Sequence, residues 1–417
     1  MRAALRCTFA LIVAVCSLPA VAEDRVDALI QRLERQEQEL KQLRQEVQDL
    51  RTQVPPPPQH PEYRREDGEE TLTDYLNPHI RLDVAGQVNP AMNIAGDGHN
   101  TKVYFVDNDT TASRIRFAGV GVWDRGPQLG TTLEVGFSPN NSFDVSQDNE
   151  TAGDFIRVRR AEFWARDDRY GRVMIGRGSS AADNTAEYDL SLVSGPIMTS
   201  GVSFVAGGLQ FTADNRLTGV TIADAFFNFD GDRENRIRYD SPMFGPLQLS
   251  ASVGADQRYG GAITWGGDFD HWTAKEMGGV TTLGALSFYD PNDHGVDYRM
   301  AGSWSMLHNA SGVSLTLSGG FDGGKGGNTP YSVYGKLGWD TRLFDFGDTG
   351  FGLDYGWTEN VSAGGDEGQS VGLAAVQVVD GYGIQLYSQF RWFGLDRAEG
   401  PSFDDIFLGT AGALVRF

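Results

Sequence analysis

The sequence predicts an all-β transmembrane barrel of about 16 (16–18) antiparallel strands, preceded by an α-helical coiled coil. Three observations lead to this fold class. Segments of about ten residues alternate apolar and polar side chains from residue 78 onward, the chain ends on such a segment with an aromatic residue, and heptads precede the alternating part. Alternation with a period of two is typical of a strand whose two faces meet different surroundings.

The closing strand is predicted at residues 406–417. Alternate residues share one face, and this face consists of Phe407, Gly409, Ala411, Ala413, Val415 and Phe417. An open sheet edge would expose unpaired N–H and C=O groups, whereas a closed ring pairs them all, as a bilayer requires. We therefore predict that this strand closes a barrel and that Phe417 is the C-terminal assembly signal. The terminal strand of a soluble β-sandwich would show the same alternation and is the alternative for this segment.

Residues 1–22 are predicted to be a secretory signal peptide. A positively charged start precedes an apolar run, and Ala20-Val21-Ala22 matches an A-x-A cleavage site. Both cysteines of the sequence, Cys7 and Cys16, lie in this segment. We therefore expect the mature chain to contain neither disulfides nor cysteine-bound metals.

Residues 23–54 are predicted to form a coiled coil. Positions a and d of successive heptads, with one polar interruption, hold Val26, Leu29, Leu33, Gln36, Leu40, Leu43, Val47, Leu50 and Val54. A coiled coil needs partner helices, so self-association is expected; a single solvated helix is the alternative. Four prolines end the helix, and residues 55–77 form a proline-rich, acidic linker.

Residues 78–417 are predicted to be the barrel. Aromatic residues bracket candidate strands, as they do at the two interfaces of a membrane. The clearest pairs are Tyr331 with Trp339 and Phe351 with Trp357. About seventeen candidate strands can be counted, and because bacterial barrels have an even number of strands we predict sixteen.

Catalytic and cofactor-binding signatures are absent from the sequence. The G-x-S-x-G, H-E-x-x-H and phosphate-loop motifs do not occur, and the six histidines are scattered without metal-ligand spacing. We therefore predict that the protein is not an enzyme and uses no cofactor and no metal. We also predict no nucleic-acid partner.

Arginine recurs on the polar face of several candidate strands. If the apolar faces contact lipid, these arginines face the lumen, because an arginine at the bilayer midplane costs about 2–4 kcal/mol. The inward arginines are predicted to be Arg81, Arg114, Arg116, Arg157, Arg159, Arg236 and Arg238. Arg160 follows Arg159 directly and breaks the alternation, which a β-bulge or burial of Arg160 against a neighbouring subunit would explain.

A segment of about thirty residues, 178–208, separates two candidate strands and is long for a loop in a compact domain. Its first half is acidic, with Asp183, Glu187 and Asp189, and its second half is apolar. An ordinary external loop would need no apolar half, so we favour a loop folded into the lumen. Its carboxylates would then oppose the arginines and create a transverse field across the passage.

Four short motifs occur in an order that resembles the strands of Gram-negative trimeric porins. They are Thr111-Ala-Ser-Arg-Ile-Arg-Phe-Ala-Gly119, Phe155-Ile-Arg-Val-Arg-Arg-Ala-Glu-Phe163, Tyr170-Gly-Arg-Val-Met-Ile-Gly-Arg177 and Asn235-Arg-Ile-Arg-Tyr-Asp-Ser-Pro-Met-Phe244. A coiled coil before the barrel is similar to the DcaP-like branch of these porins. Phosphate-selective porins are a neighbouring possibility that implies a lysine-rich pore. The chain from residue 78 has only Lys102, Lys275, Lys325 and Lys336, which disfavours them.

The resemblance implies a 16-stranded homotrimer in the outer membrane of a Gram-negative bacterium, with the coil in the periplasm and the third external loop inside the pore. It implies eyelet arginines at Arg114, Arg159 and Arg177, although alternation places Arg177 with Val173 and Ile175. It also implies loop carboxylates at Asp183, Glu187 and Asp189.

The expected function is passive diffusion of small hydrophilic solutes or ions, with a preference for small anions or carboxylates. The alternative is a structural protein, anchored in outer-membrane lipid by its barrel, whose coil acts as a periplasmic spacer or cell-wall tether. The sequence leaves open whether the coil contacts peptidoglycan.

Overall fold

The structure is a computed structural model that describes residues 38, 41–42, 80–121, 126–153, 156–266, 275–293, 295–324 and 327–417. The predicted signal peptide, coiled coil and linker lie outside the described residues, apart from helical residues 38, 41 and 42. The chain divides into two compact units, Met1–Tyr75 and Leu76–Phe417. Nearly all described residues belong to the second unit. Within the described part, no helix is long and apolar enough to cross a membrane.

The alternating segments form strands, as predicted. In chain order the strands are β1 (Ile80–Val88), β2 (Pro90–Gly96), β3 (Thr101–Asp107), β4 (Arg114–Gly121), β5 (Gln128–Phe137), β6 (Ile156–Asp167), β7 (Gly171–Ser179), β8 (Gln210–Ala213), β9 (Arg216–Thr221), β10 (Arg233–Asp240), β11 (Leu247–Gly254), β12 (Tyr259–Trp265), β13 (Lys275–Met277), β14 (Val280–Asp290), β15 (Tyr298–His308), β16 (Val313–Gly323), β17 (Tyr331–Phe344), β18 (Gly347–Glu359), β19 (Glu367–Val379), β20 (Ile384–Asp396) and β21 (Ile406–Arg416). One short α-helix, Ile222–Ala225, follows β9, and the 3-10 helices are Asp109–Thr111, Leu192–Ser194, Val202–Val205 and Ala255–Gln257.

Nineteen of these strands form one closed antiparallel sheet. β1 and β2 together occupy one position in the wall, because both pair with β21, and β3 and β4 together occupy the next. β13 pairs with the first residues of β14, which also pairs with β12. The wall therefore has sixteen strand positions, which confirms the predicted 16-stranded barrel.

Two of the strands lie outside the wall. β8 and β9 form a separate two-stranded sheet that is not part of the wall. They lie within the segment between β7 and β10, residues 180–232, which we call the inserted loop. The expectation that this loop ends near residue 208 is therefore wrong, because the chain returns to the wall at Arg233.

Closure occurs where the sequence predicts it. Gln87 on β1 lies opposite Arg416 on β21, and Ala91 on β2 lies opposite Gly412. Phe417 donates its N–H to the carbonyl of Gly86 (3.0 Å) and accepts the N–H of Gly86 (2.8 Å). The last residue therefore pairs with the first strand, and the ring leaves no free edge at this point.

The outer face of the wall is apolar and the inner face is mixed. Leu353, Tyr355 and Leu373 are exposed on the outside, whereas the alternate residue Asp354 is buried inside. Aromatic side chains meet across strands near both ends of the wall: Trp339 stacks on Phe351 with ring centroids 5.8 Å apart, and Tyr331 contacts Trp357 edge-on at 5.3 Å. This arrangement fits an apolar band between two aromatic girdles.

The inserted loop fills one side of the lumen. Its apolar residues pack against inward residues of the opposite wall in one buried cluster. Loop members of this cluster include Val193, Ile197, Met198, Val202 and Phe211, and wall members include Tyr334, Val376, Phe393, Leu408 and Leu414. This half of the lumen is therefore filled by a packed apolar core.

Wall side chains anchor the start of the inserted loop. Serine hydroxyls of β11 and β15 accept backbone N–H groups of the loop: Ser252 from Ala181 (2.9 Å) and Ser303 from Tyr188 (2.9 Å). Wall glycines receive loop side chains, because a Cβ at Gly352 would lie 2.7 Å from Val193 Cγ2. Small inward residues of the wall therefore provide a docking surface for the loop.

Candidate pore constriction

Strand register brings inward basic residues into two adjacent rows. Residues directly opposite each other in neighbouring strands share a face of the sheet. The first row reads Arg416, Gln87, Arg114, Gly136 and Arg157 across β21, β1, β4, β5 and β6. The second row reads Ala85, Arg116, Glu134 and Arg160. The predicted arginine wall is therefore present on the side that the loop core leaves open.

A β-bulge accounts for the consecutive arginines. Glu134 lies opposite Arg160 and Val135 lies opposite Val158, so that Arg159 is the extra residue on β6. An extra residue re-aims its side chain and lets two neighbours project to one side. Arg159 and Arg160 consequently both line the lumen, as the bulge hypothesis predicts.

These arginines surround an open cavity of about 400 Å³. Its basic lining residues are Arg114, Arg116, Arg159, Arg160, Arg233 and Arg416. Glu134 is its acidic lining residue, and the inserted loop contributes Asn184 and Tyr188. We call this cavity the constriction, because the loop and the wall approach each other here.

Two of the three predicted loop carboxylates lie beside the constriction. Asp183 Oδ2 is 3.6 Å from Nε of Arg233, and Asp183 is buried. Glu187 accepts a hydrogen bond from the amide of Asn228 (3.1 Å). Burial and the adjacent Asp183 carboxylate raise the pKa of Glu187 to about 7, against the lowering effect of Arg233 and Arg159. The charge on the loop side of the constriction therefore changes near neutral pH.

Asp230 binds the backbone of the acidic first part of the inserted loop. Its carboxylate accepts the backbone N–H groups of Asn184 (2.6 Å) and Ala186 (3.0 Å). Burial and the neighbouring Glu187 and Asp183 carboxylates raise the pKa of Asp230 well above its ordinary value. This residue closes the loop on itself and holds the acidic side chains close to one another.

The third predicted carboxylate has a different role. Asp189 pairs with Lys336 at 2.5 Å, and both side chains are almost fully buried. Lys336 also donates to the carbonyl of Met198 (2.7 Å). Asp189 therefore fastens the loop to β17 and does not face the constriction, contrary to expectation.

Arg236 and Arg238 point inward as predicted, but they are buried. Arg236 pairs with Glu162 and donates to the carbonyl of Ser179 (2.9 Å). Arg238 donates to Asp240 (2.8 Å) and to the carbonyl of Ser180 (2.7 Å). The inserted loop begins directly over these side chains, so they hold the wall and the loop base together and do not line the constriction.

Arg177 and Arg157 also lie outside the constriction. Arg177 lies opposite Ala161 and Asn235 on the outward face, and its Nε donates to the carbonyl of Val158 (2.8 Å). Strand alternation, which placed Arg177 outward, is therefore the better guide than the family motif at this position. Arg157 lies on the inward face at the end of the first row and is exposed.

Three charged constriction residues were not singled out from the sequence. Glu134 and Arg416 could have been found, because both alternate with apolar neighbours on their strands. Arg233 carried no such signal, because its position depends on where the inserted loop ends. Among the described residues, no group of three or more His, Cys, Asp or Glu side chains could hold a metal ion.

A closed 16-stranded barrel with an apolar outer face and a loop-narrowed, charged lumen defines a channel-forming outer-membrane protein. The family model described as Gram-negative porin matches residues 81–397, which is more than half of the chain. The chain therefore belongs to the Gram-negative porin family.

Solved structures show the same fold at low sequence identity. The anion-selective porin from Comamonas acidovorans has a TM-score of 0.54 and 15% identity, with 81% of this chain and 100% of that chain covered. OmpT of Vibrio cholerae has a TM-score of 0.52 and 11% identity over 82% and 99%. The outer membrane channel DcaP of Acinetobacter baumannii has a TM-score of 0.51 and 11% identity over 84% and 99%. A comparison with curated proteins gave no match.

Proposed function

We propose that the protein is a passive diffusion channel for small hydrophilic solutes and that it favours small anions, including carboxylates. The observation that carries this proposal is the constriction, where six arginines line one cavity of about 400 Å³. Charged side chains at the narrowest part of a pore govern which ions enter. One of the similar structures is a porin named as anion-selective, which is consistent with the proposal.

The acidic composition of the chain does not oppose this preference. The formal net charge is −21, but physiological salt screens exposed charges over roughly 8 Å. The guanidinium groups of the constriction act on a passing ion at shorter range, within the walls of the barrel. Local charge at the constriction should therefore outweigh distant charge at the rim.

The channel itself is tested by inserting the purified protein into a planar lipid bilayer. We expect stepwise conductance, in groups of three if the protein is a homotrimer, since the similar OmpT of Vibrio cholerae has a trimer form. A barrel that inserts but never conducts would contradict the proposed function.

The selectivity should depend on pH through Glu187. Its pKa is raised to about 7, so the side chain is mostly neutral at pH 6 and mostly ionised at pH 8. Protonation removes one negative charge from the loop side while the arginines stay charged. The anion/cation permeability ratio should therefore rise as pH falls from 8 to 6. At both pH values, Glu187→Gln should show the ratio that the wild type shows at pH 6. A wild-type ratio that falls on acidification would contradict this assignment.

The predicted coil provides a separate test of assembly. We propose that residues 23–54 form a periplasmic coil joined to a trimeric barrel. Replacing Leu33 and Leu40 with Asp would bury unpaired charge and should separate the coil helices. The trimer should persist on a native gel, because the barrel walls provide their own interface. Migration as monomers would show that the coil is the main trimerisation element.

The structural alternative, a periplasmic spacer or cell-wall tether, concerns the same segment. Deleting residues 26–54 distinguishes the two functions, since a channel should conduct without the coil, whereas a tether should lose its attachment to the cell wall.

A further inference from the structure

One carboxylate, that of Glu134, lies among the arginines of the constriction. Glu134 is on β5, between β4 and β6, and its side chain is 9% exposed. Its neighbours Leu133 and Val135 alternate with it and belong to the outer face. An isolated buried carboxylate is costly, so its place depends on the cations that surround it.

Four arginines surround Glu134. Arg159 donates from Nε to Glu134 Oε1 at 2.6 Å, and Arg114 Nε lies 3.9 Å from the same oxygen. Arg116 and Arg160 lie directly opposite Glu134 on the two neighbouring strands. Like charges at such distances repel one another, and a single carboxylate at their centre offsets part of this repulsion.

A glycine makes this arrangement possible. Gly136 is the next inward residue of β5, and a Cβ built there would lie 3.1 Å from Cδ of Arg159. Because Gly136 has no side chain, the aliphatic part of Arg159 can extend from β6 over β5 and reach Glu134. The bulge at Arg159, the gap at Gly136 and the carboxylate of Glu134 therefore act as one unit.

We propose that Glu134 is a specificity-determining residue of the channel. It holds Arg114 and Arg159 together across β5, and it offsets one unit of the positive charge that an anion meets in the constriction. Its negative charge limits the anion preference and lets anions leave the arginine cluster. This inference rests on the proposed channel function. Glu134 belongs to the wall and not to the inserted loop, and the loop faces the arginines from the opposite side.

The test is the reversal potential of single channels under a KCl gradient for Glu134→Gln. A unit charge about 5 Å from an ion in water changes its local concentration by a factor of about four. Screening at 0.1 M salt reduces this factor to about two. Because loss of the negative charge raises the anion concentration and lowers the cation concentration by this factor, we expect the anion/cation permeability ratio to rise about fourfold. The increase should shrink at 1 M salt, where the Debye length is about 3 Å.

Glu234→Gln is the matched control. Glu234 is also a buried inward glutamate, accepts a hydrogen bond from Tyr289 (3.3 Å) and does not line the constriction. Its replacement should leave the permeability ratio unchanged. Glu134→Asp keeps the charge but shortens the side chain, so its ratio should stay within about twofold of the wild type while the conductance changes because Arg159 is released.

The outcomes separate the inference from the proposed function. A wild-type channel without anion preference would contradict the proposed function, yet a shift towards anions in Glu134→Gln would still support the role of Glu134. If Glu134→Gln leaves the ratio unchanged or lowers it, or if Glu234→Gln shifts it equally, Glu134 does not determine specificity. Gly136→Val provides a second test that retains the carboxylate: displacing Arg159 should change conductance, and an unchanged conductance would argue against the positioning role.

Discussion

Replacing Arg114 and Arg159 with Ser is expected to lower the anion/cation permeability ratio by roughly tenfold at low salt and to increase single-channel conductance. Both guanidinium groups line the constriction, where Arg159 is bonded to Glu134. Their removal would leave Glu134 with fewer cations around it, so the local charge would become much less positive. The conductance should increase because two long side chains are replaced by short ones. The ratio is obtained from reversal potentials and the conductance from single-channel steps.

Arg177→Ser is the control for this double substitution. Arg177 lies on the outward face of β7, opposite Asn235 on β10. The loss of its charge should leave the permeability ratio unchanged. If the double substitution also leaves the ratio unchanged, the ions do not pass Arg114 and Arg159, and the constriction is elsewhere.

Gly352→Val should displace the inserted loop from β18 towards the open half of the lumen and narrow the channel. A Cβ at this position would lie 2.7 Å from Val193 Cγ2 and 2.8 Å from Met198 Sδ. Real side chains do not tolerate such distances, so the loop must move away from β18. We expect a smaller conductance and faster proteolysis of the loop. The measurements are single-channel recording and limited proteolysis of the purified protein in detergent.

Gly335→Val is the matched control, because Gly335 lies on the outward face and a Cβ there would meet its nearest atom at 3.7 Å. This variant should behave like the wild type. Lys336→Met should loosen the loop by an independent route, since it leaves Asp189 buried without its partner at a cost of about 3–5 kcal/mol. If both Gly352→Val and Lys336→Met conduct and resist protease like the wild type, the loop is not held by these contacts.

The wall of the barrel could be predicted because the alternation of apolar and polar residues is visible within each strand. Leu353 and Tyr355 face outward and Asp354 faces inward, as their alternation requires. The same local rule places Arg114, Arg116 and Arg159 in the lumen, and it places Arg177 outside. Strand alternation therefore identified the side of the sheet correctly even where the family motif suggested otherwise.

The constriction was less predictable because it depends on contacts distant in sequence. Asp189 and Lys336 lie far apart in the chain, and no local pattern shows that they form a buried pair. Arg236 and Arg238 satisfy the inward pattern, but the base of the inserted loop covers them. β8 and β9 pair with each other and not with the wall, and this pairing places them inside the loop.

Solutes are expected to pass the arginine cluster of the constriction, and anions are expected to be favoured there. The reversal potential of the wild-type channel in a planar bilayer under a roughly tenfold KCl gradient measures this preference without any substitution. We expect a potential whose sign shows chloride permeating more readily than potassium, and whose size increases as the salt concentration is lowered. A potential of the opposite sign, unaffected by replacing Arg114 and Arg159 with Ser, would contradict the passage of ions along these arginines.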